Sequence, residues 1–200
     1  MAYVKSGVLL YGPPAVGKST TTRALVTLGD FTAYQPLKVG GTPRKEYRAT
    51  SHEHLDQLSA AGELLWDARL YGARYAFDRA ELDRLLLSET HPVINIGTPA
   101  VLDHIQQSTT ATWHRVELWC DLDTATRRLT TRGDPDLPQR LERWHATPRL
   151  TKADLRIDTT HTHPHEAALA IRQLVIAELT SPLVPIRPFR CHTSKDTLSR

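Results

Sequence analysis

Residues 12–19 read Gly-Pro-Pro-Ala-Val-Gly-Lys-Ser, and this spacing of two glycines followed by Lys-Ser leaves a chain few options. Gly12 and Gly17 let the backbone turn with its N–H groups facing inward, which makes a nest for an anion. Such a loop needs a strand before it and a helix after it. Both are present: Val8-Leu9-Leu10-Tyr11 is an apolar run ending on glycine, and residues 18–28 read as a helix. The helix adds its positive N-terminal end to the same point. The segment therefore predicts a phosphate-binding loop, a P-loop. Its contact residues would be Gly12, Pro13, Pro14, Ala15, Val16, Gly17, Lys18, Ser19 and Thr20. Lys18 would place a cation on the transferring phosphate, Ser19 would ligate magnesium, and Thr20 would reach the alpha-phosphate. ATP and Mg2+ are the expected cofactors.

The rest of the chain sets the class. Short apolar runs alternate with helical patterns. Residues 93–96, 116–120 and 155–157 read as strands, while 99–107, 124–131, 137–145 and 164–179 read as helices. Ser51 opens a helix carrying Leu55 and Leu58, which Gly62 ends. Asp78 followed by Glu81 looks like a capping box before Leu82, Leu85 and Leu86. Residues 29–50 read as loop with one or two short strands, and 63–75 is ambiguous. The expectation is an α/β, three-layer P-loop fold with a parallel five-stranded sheet flanked by helices. Residues 1–180 would form one domain, with an acceptor-binding insertion near 30–80 and a lid near 127–145. Residues 181–200 would be an extended tail.

Composition excludes little. In 200 residues, 40% are apolar and 24% charged, which suits an ordinary core, and a net charge of +3 makes no case for nucleic acid. Cys120 and Cys191 form no CxxC pair and read as reduced thiols. The apolar stretch at residues 7–11 is too short for a signal segment, and no run reaches membrane-spanning length, so a cytoplasmic protein without a membrane partner is expected. Oligomeric state is not legible.

A P-loop serves GTPases, motors and kinases alike. Thr151-Lys152-Ala153-Asp154 mimics a guanine-reading motif, but it lies before a strand where the motif needs to lie after one. The strand at 93–96 ends without the carboxylate of a motor ATPase. A kinase instead needs an arginine-bearing lid that neutralises charge and excludes water. Arg128 and Arg132 share a helix face, and Arg140 returns on the next helix. His161, His163 and His165 alternate without an acidic or cysteine companion and read as loop, and His52 and His54 read as a helix start. Asp67 is the expected acceptor base, and Asp78 reads first as an N-cap. Lys38, Arg44, Lys45, Tyr47 and Arg48 are candidates for a phosphate clamp. Trp66, Tyr71 and Tyr75 are suited either to stacking on a ring or to the core.

The chain resembles the guanylate kinase superfamily over residues 6 to about 176. The resemblance rests on the P-loop, Glu46 to Ser51, Gly62 to Trp66, Gly72 to Tyr75, and Arg128-Leu129-Thr130-Thr131-Arg132-Gly133 followed by Arg140-Leu141. It implies phosphate transfer from ATP, with Lys18, Arg128, Arg132 and Arg140 on the transferring charge and Lys38, Tyr47, Trp66 and Tyr75 at the acceptor. The departures are specific. The family's two phosphate-holding arginines fall at Gln35 and Lys38, its guanine-reading glutamate at Trp66, and that glutamate's serine partner at Phe77. Leu64 to Ala68 and Val93 to Gly97 look more like ribose 1,5-bisphosphate phosphokinases, whose acceptor is a sugar phosphate. Only six residues separate Gly133 from Arg140, a short lid for the family. The expected activity is transfer of a gamma-phosphate to a small phosphorylated metabolite, either a sugar phosphate or a nucleoside monophosphate. A nucleotide-binding regulatory or scaffold module and a kinase of an unphosphorylated hydroxyl remain the alternatives.

Overall fold

The computed structural model describes residues 5–41, 43–133 and 136–180. The tail from 181 to 200, with Cys191, and the Asp134-Pro135 break lie outside the described residues. Strands β1 (Ser6–Tyr11), β2 (Phe31–Ala33), β7 (His91–Ile96), β8 (Thr112–Trp119) and β9 (Leu155–Asp158) form one parallel sheet in the order β2-β7-β1-β8-β9. The central strand explains the layering. Side chains alternate along a strand, so Val8 and Leu10 of β1 face one way and Leu9 and Tyr11 the other. Val8 and Leu10 pack with Leu25 of α1 (Lys18–Thr27), Ala125 of α5 (Leu122–Thr131) and Ile171 and Val175 of α7 (Pro164–Thr180). Leu9 and Tyr11 pack with Leu82 and Leu85 of α3 (Arg79–Leu86) and with Val101, Leu102 and Ile105 of α4 (Pro99–Gln107). All four β1 side chains are 0% exposed, so both faces of the sheet are covered. The expected three-layer α/β fold is the fold observed.

Between β2 and α3 the chain builds a second sheet in the order β4-β3-β6-β5, from β3 (Leu37–Val39), β4 (Arg48–Ala49), β5 (Leu64–Leu70) and β6 (Ala73–Asp78). Helix α2 (His52–Ala60) covers one face of it, where Leu55 meets Leu37 and Ala76. Ser51 caps α2 by accepting from the His54 N–H, as the sequence indicates. The stretch 63–75, ambiguous in sequence, is the β5–β6 hairpin. Its two-residue turn puts Tyr71 at φ 52° and Gly72 at φ 70°. Such a turn favours Asn-Gly, and a tyrosine in it gives no sequence signal. Residues 29–50 hold three short strands where one or two were expected.

Asp78 caps α3 through the Glu81 N–H. The reciprocal half of a capping box is missing, because the Asp78 N–H donates to Tyr34 and the Glu81 carboxylate pairs with Arg84. After α6 (Leu137–Ala146), the segment 147–154 returns across the C-terminal ends of β1 and β8. Tyr11 Oη donates to the Pro148 carbonyl at 2.7 Å. Glu117, 0% exposed, accepts from Arg149, the Leu150 N–H and Arg156. Burial alone would raise the Glu117 carboxyl, but these donors outweigh it and hold it below the ordinary carboxylate range. Asp154, in the false guanine-reading segment, accepts from the Arg115 N–H. Among the described residues, no helix is long and apolar enough to cross a membrane.

Gly12 follows β1 at φ 151° and passes so close to β8 that a Cβ would collide with the Leu118 carbonyl oxygen and lie 2.9 Å from Val16 Cγ2. The P-loop thus rests directly on the neighbouring strand. Gly12→Ala is expected to cost about 1–3 kcal/mol, read as a lower midpoint in chemical denaturation, and an unchanged midpoint would remove this close contact from the account.

Candidate functional site

The order of the main sheet makes the site. From β1 the chain runs to one side through β2 and β7, and later to the other through β8 and β9. The crevice outside the C-terminal ends of the strands is where ligands bind in open α/β sheets. The P-loop occupies it here. Beside it, a cavity of about 890 Å³ runs from Gly12, Pro14, Lys18 and Ser19, past Asn95 to Thr98 at the end of β7, to the inner face of the second sheet.

The loop is held from behind. Arg128 on α5 donates to the Ala15 carbonyl at 3.1 Å and to the Thr159 carbonyl at 2.7 Å. The Thr159 hydroxyl lies 2.8 Å from the Val16 carbonyl and 3.0 Å from that of Trp119. Ala15, at φ 64°, is one of two non-glycine residues in the left-handed region among those described. Val16 is buried in the core. Pro13, Ala15, Val16, Gly17 and Thr20 shape the loop without lining the cavity; Gly12, Pro14, Lys18 and Ser19 line it. Arg128, expected on the transferring charge, is turned to the back of the P-loop. Its long side chain reaches the nearest buried carbonyls, which need a donor.

Lys18 folds over the loop, and its ammonium donates to the carbonyls of Gly12 at 2.5 Å and Pro13 at 2.9 Å. Burial pushes its pKa down to about 7, and the charges of Arg132 and Arg143 push in the same direction. Arg132 is exposed, with Nε 3.3 Å from the Arg128 carbonyl. Arg140 and Arg143 share one face of α6 and both line the cavity. Arg140 lies over the Tyr71 ring at 4.2 Å, while Arg143 donates to the Thr98 hydroxyl at 2.9 Å. Helix α6 therefore spans the mouth from the hairpin turn to the start of α4. Arg143 was not singled out in the sequence; its spacing from Arg140 was the available signal. At the base of α6, Trp144 packs on Trp119 with ring centroids 5.0 Å apart.

On the second sheet, strand alternation decides which residues face the cavity. Lys38 pairs across strands with Tyr75, and its ammonium lies over the rings of Tyr47 at 5.3 Å and Tyr75 at 5.6 Å. Burial lowers the Lys38 pKa, and Arg44 and Arg140 lower it further. Burial raises both Tyr47 and Tyr75, which keeps them protonated donors. Trp66, opposite Phe77, also lines the cavity. Asp67 does not. As the neighbour of Trp66 in a strand it points to the other face, where Arg74 binds it at 2.9 and 3.0 Å through Nε and also reaches Asp56 of α2. The assignment of Asp67 as acceptor base is corrected accordingly. Arg48 likewise leaves the clamp, pairing with Asp78 and with the Gln35 carbonyl.

Among the described lining residues the carboxylates are Glu46 and Asp136. Both lie toward the second sheet and α6, beside Tyr47 and beside Tyr71 and Tyr75. None of the lining side chains from the P-loop, α1 or β7 is acidic. At the end of β7, Asn95 accepts from the Thr22 hydroxyl at 2.9 Å.

No family model and no curated protein matches this chain. Among solved structures it is similar to guanylate kinase from Anaplasma phagocytophilum, at 16% identity over 89% of this chain and 88% of that one, with a TM-score of 0.62. It is also similar to a sugar kinase from Janibacter sp. HTCC2649, at 13% identity over 87% of this chain and 95% of that one, with a TM-score of 0.50. At these identities the likeness speaks to the fold alone, a parallel five-stranded sheet flanked by helices that this chain shares with both.

Proposed function

We propose that the protein transfers the gamma-phosphate of ATP to a small phosphorylated acceptor. Sugar phosphates and nucleoside monophosphates are the classes suggested by the sequence resemblance. The observation that carries the reading is the cavity itself: a glycine-bounded anion nest at one end, Lys38, Tyr47 and Tyr75 at the other, and Arg140 and Arg143 between them.

The loop suits a triphosphate. Gly12 and Gly17 have the open backbone a phosphate cradle requires, and Ser19 presents an exposed hydroxyl on the first turn of α1, where it would hold magnesium. ATP would supply the phosphoryl group, and magnesium held at Ser19 would supply positive charge against the developing negative charge. Lys18 leaves the Gly12 and Pro13 carbonyls for the phosphates. Arg140 and Arg143 neutralise the charge between donor and acceptor while α6 excludes water. Lys38, Tyr47 and Tyr75 hold the acceptor phosphate by one cation and two phenolic donors. An oxygen of that phosphate, already ionised, attacks in line, so no general base is needed. The cation and two phenols grouped at Lys38, Tyr47 and Tyr75 favour this acceptor over an unphosphorylated hydroxyl, for which Glu46 or Asp136 would be the carboxylate available to take its proton.

Three outcomes are expected. Lys18→Ala abolishes acceptor-dependent ATP consumption in a coupled assay, and unchanged turnover would take the P-loop out of the mechanism. If no acceptor raises consumption above the water background, the protein is a nucleotide-binding module without transfer activity. Second, Mg·ATP restores the protonated form of Lys18, whose pKa is about 7 without an anion. Above pH 7, binding therefore takes up protons and weakens as pH rises. Calorimetry in buffers of different ionisation enthalpy reads this uptake, and Lys18→Met removes it. Third, Asp67→Asn keeps turnover within about twofold of the parent, as for a surface pair away from the reacting atoms; a loss of about 100-fold would return it to the role of base.

A further inference from the structure

The inner face of the second sheet has two chemically different zones. Lys38, Tyr47 and Tyr75 make the first. Two residues beyond Tyr75 on β6, Phe77 points the same way, and its cross-strand partner is Trp66. Tyr34 follows on the far side of Phe77. The three rings form a row with centroids 5.3 Å apart from Tyr34 to Phe77 and 5.3 Å from Phe77 to Trp66. Ile96 and Val101 continue this wall from the main sheet and α4. Trp66 is only partly buried, so part of its indole faces the open cavity.

Each polar group that borders this wall holds at least one partner within the protein. The Tyr34 hydroxyl accepts from the Asp78 N–H at 2.8 Å and lies 3.0 Å from the Asp78 carbonyl and carboxylate oxygens. The Gln35 amide donates to the Lys45 carbonyl at 2.8 Å. The Thr98 hydroxyl accepts from Arg143, and the Asn95 oxygen accepts from Thr22. A polyol pressed against Trp66 and Phe77 would bury hydroxyls against carbon, and a nucleobase stacked there would turn its polar edge to side chains that already hold a partner each. Each group left unsatisfied costs about tenfold or more in affinity. An aryl or alkyl group gains by the same burial.

We infer that the acceptor is a phosphate monoester whose organic part is apolar, with the phosphate at Lys38, Tyr47 and Tyr75 and the organic part against Trp66 and Phe77. This rests on the kinase reading above and adds the class of the acceptor's body. In the transfer, a phosphate oxygen of the monoester forms a bond to the gamma-phosphorus of ATP, the bond from that phosphorus to the beta–gamma bridging oxygen breaks, and ADP leaves with the electron pair.

The test compares ATP consumption with phenyl phosphate, n-pentyl phosphate, ribose 5-phosphate and GMP at equal concentration. Phenyl or n-pentyl phosphate is expected to give kcat/KM at least about tenfold above the two polar acceptors. If ribose 5-phosphate or GMP does as well or better, the apolar-body inference is overturned and the kinase reading stands. If none of the four raises consumption, both fall. With the preferred apolar acceptor, Trp66→Ala is expected to raise KM by at least about tenfold with kcat within about threefold, and Trp66→Leu to recover most of that loss. Equal KM in parent, Ala and Leu variants that bind Mg·ATP normally would overturn the assignment of Trp66.

Discussion

The carbonyls of Ala15 and Val16 are held from behind by Arg128 and Thr159, and the rest of the site depends on that grip. In a trans peptide the carbonyl and the next N–H point opposite ways. Fixing these two oxygens toward the core therefore aims the N–H groups of Val16 and Gly17 away from it. The turn is thus held by two side chains that do not line the cavity. Arg128 comes from α5 and Thr159 from the loop after β9, so the ends of two distant chain segments converge on the same turn. Gly12, pressed against Leu118, fixes the third side. The backbone of the turn is fixed this way, while Lys18, bonded to the Gly12 and Pro13 carbonyls, is the part that would have to move for an anion.

Charge in the cavity follows one rule. Lys18 and Lys38 sit at opposite ends, and the pKa of each is lowered by burial first and by nearby arginines second. Arg140 and Arg143 face the same space, and the acidic lining residues lie toward one end of it. The like charges of these basic side chains repel one another across the cavity, and polyanions placed between them would relieve that repulsion. The stabilisation they gain comes partly from charge that the fold already holds at a cost.

The middle of the main sheet was legible because β1 and most of β7 are buried on both faces and carry apolar runs; α4 was legible because Pro99 marks its first turn and its apolar stripe is clean. The second sheet was not. Its strands are two to seven residues long, and the Tyr71-Gly72 turn carries no favoured pair. The site divides along the same line. Gly12 to Ser19 could be placed because one local motif contains them. Trp66 and Asp67 could not be separated until the strand fixed their alternation. Arg128 was expected at the cavity and Arg143 was not singled out, because helix spacing says which arginines share a face, not which face meets the cavity.

Helix α6 touches the hairpin through Arg140, the start of α4 through Arg143, and the end of β8 through the pair of indoles, Trp144 on Trp119. The last contact joins a helix at the cavity mouth to an inner strand of the sheet, beside the central one. Any swing of α6 changes the distance between two natural chromophores, one on the moving part and one on the fixed part. A displacement of α6 would therefore be read in the tryptophan spectrum of unlabelled protein.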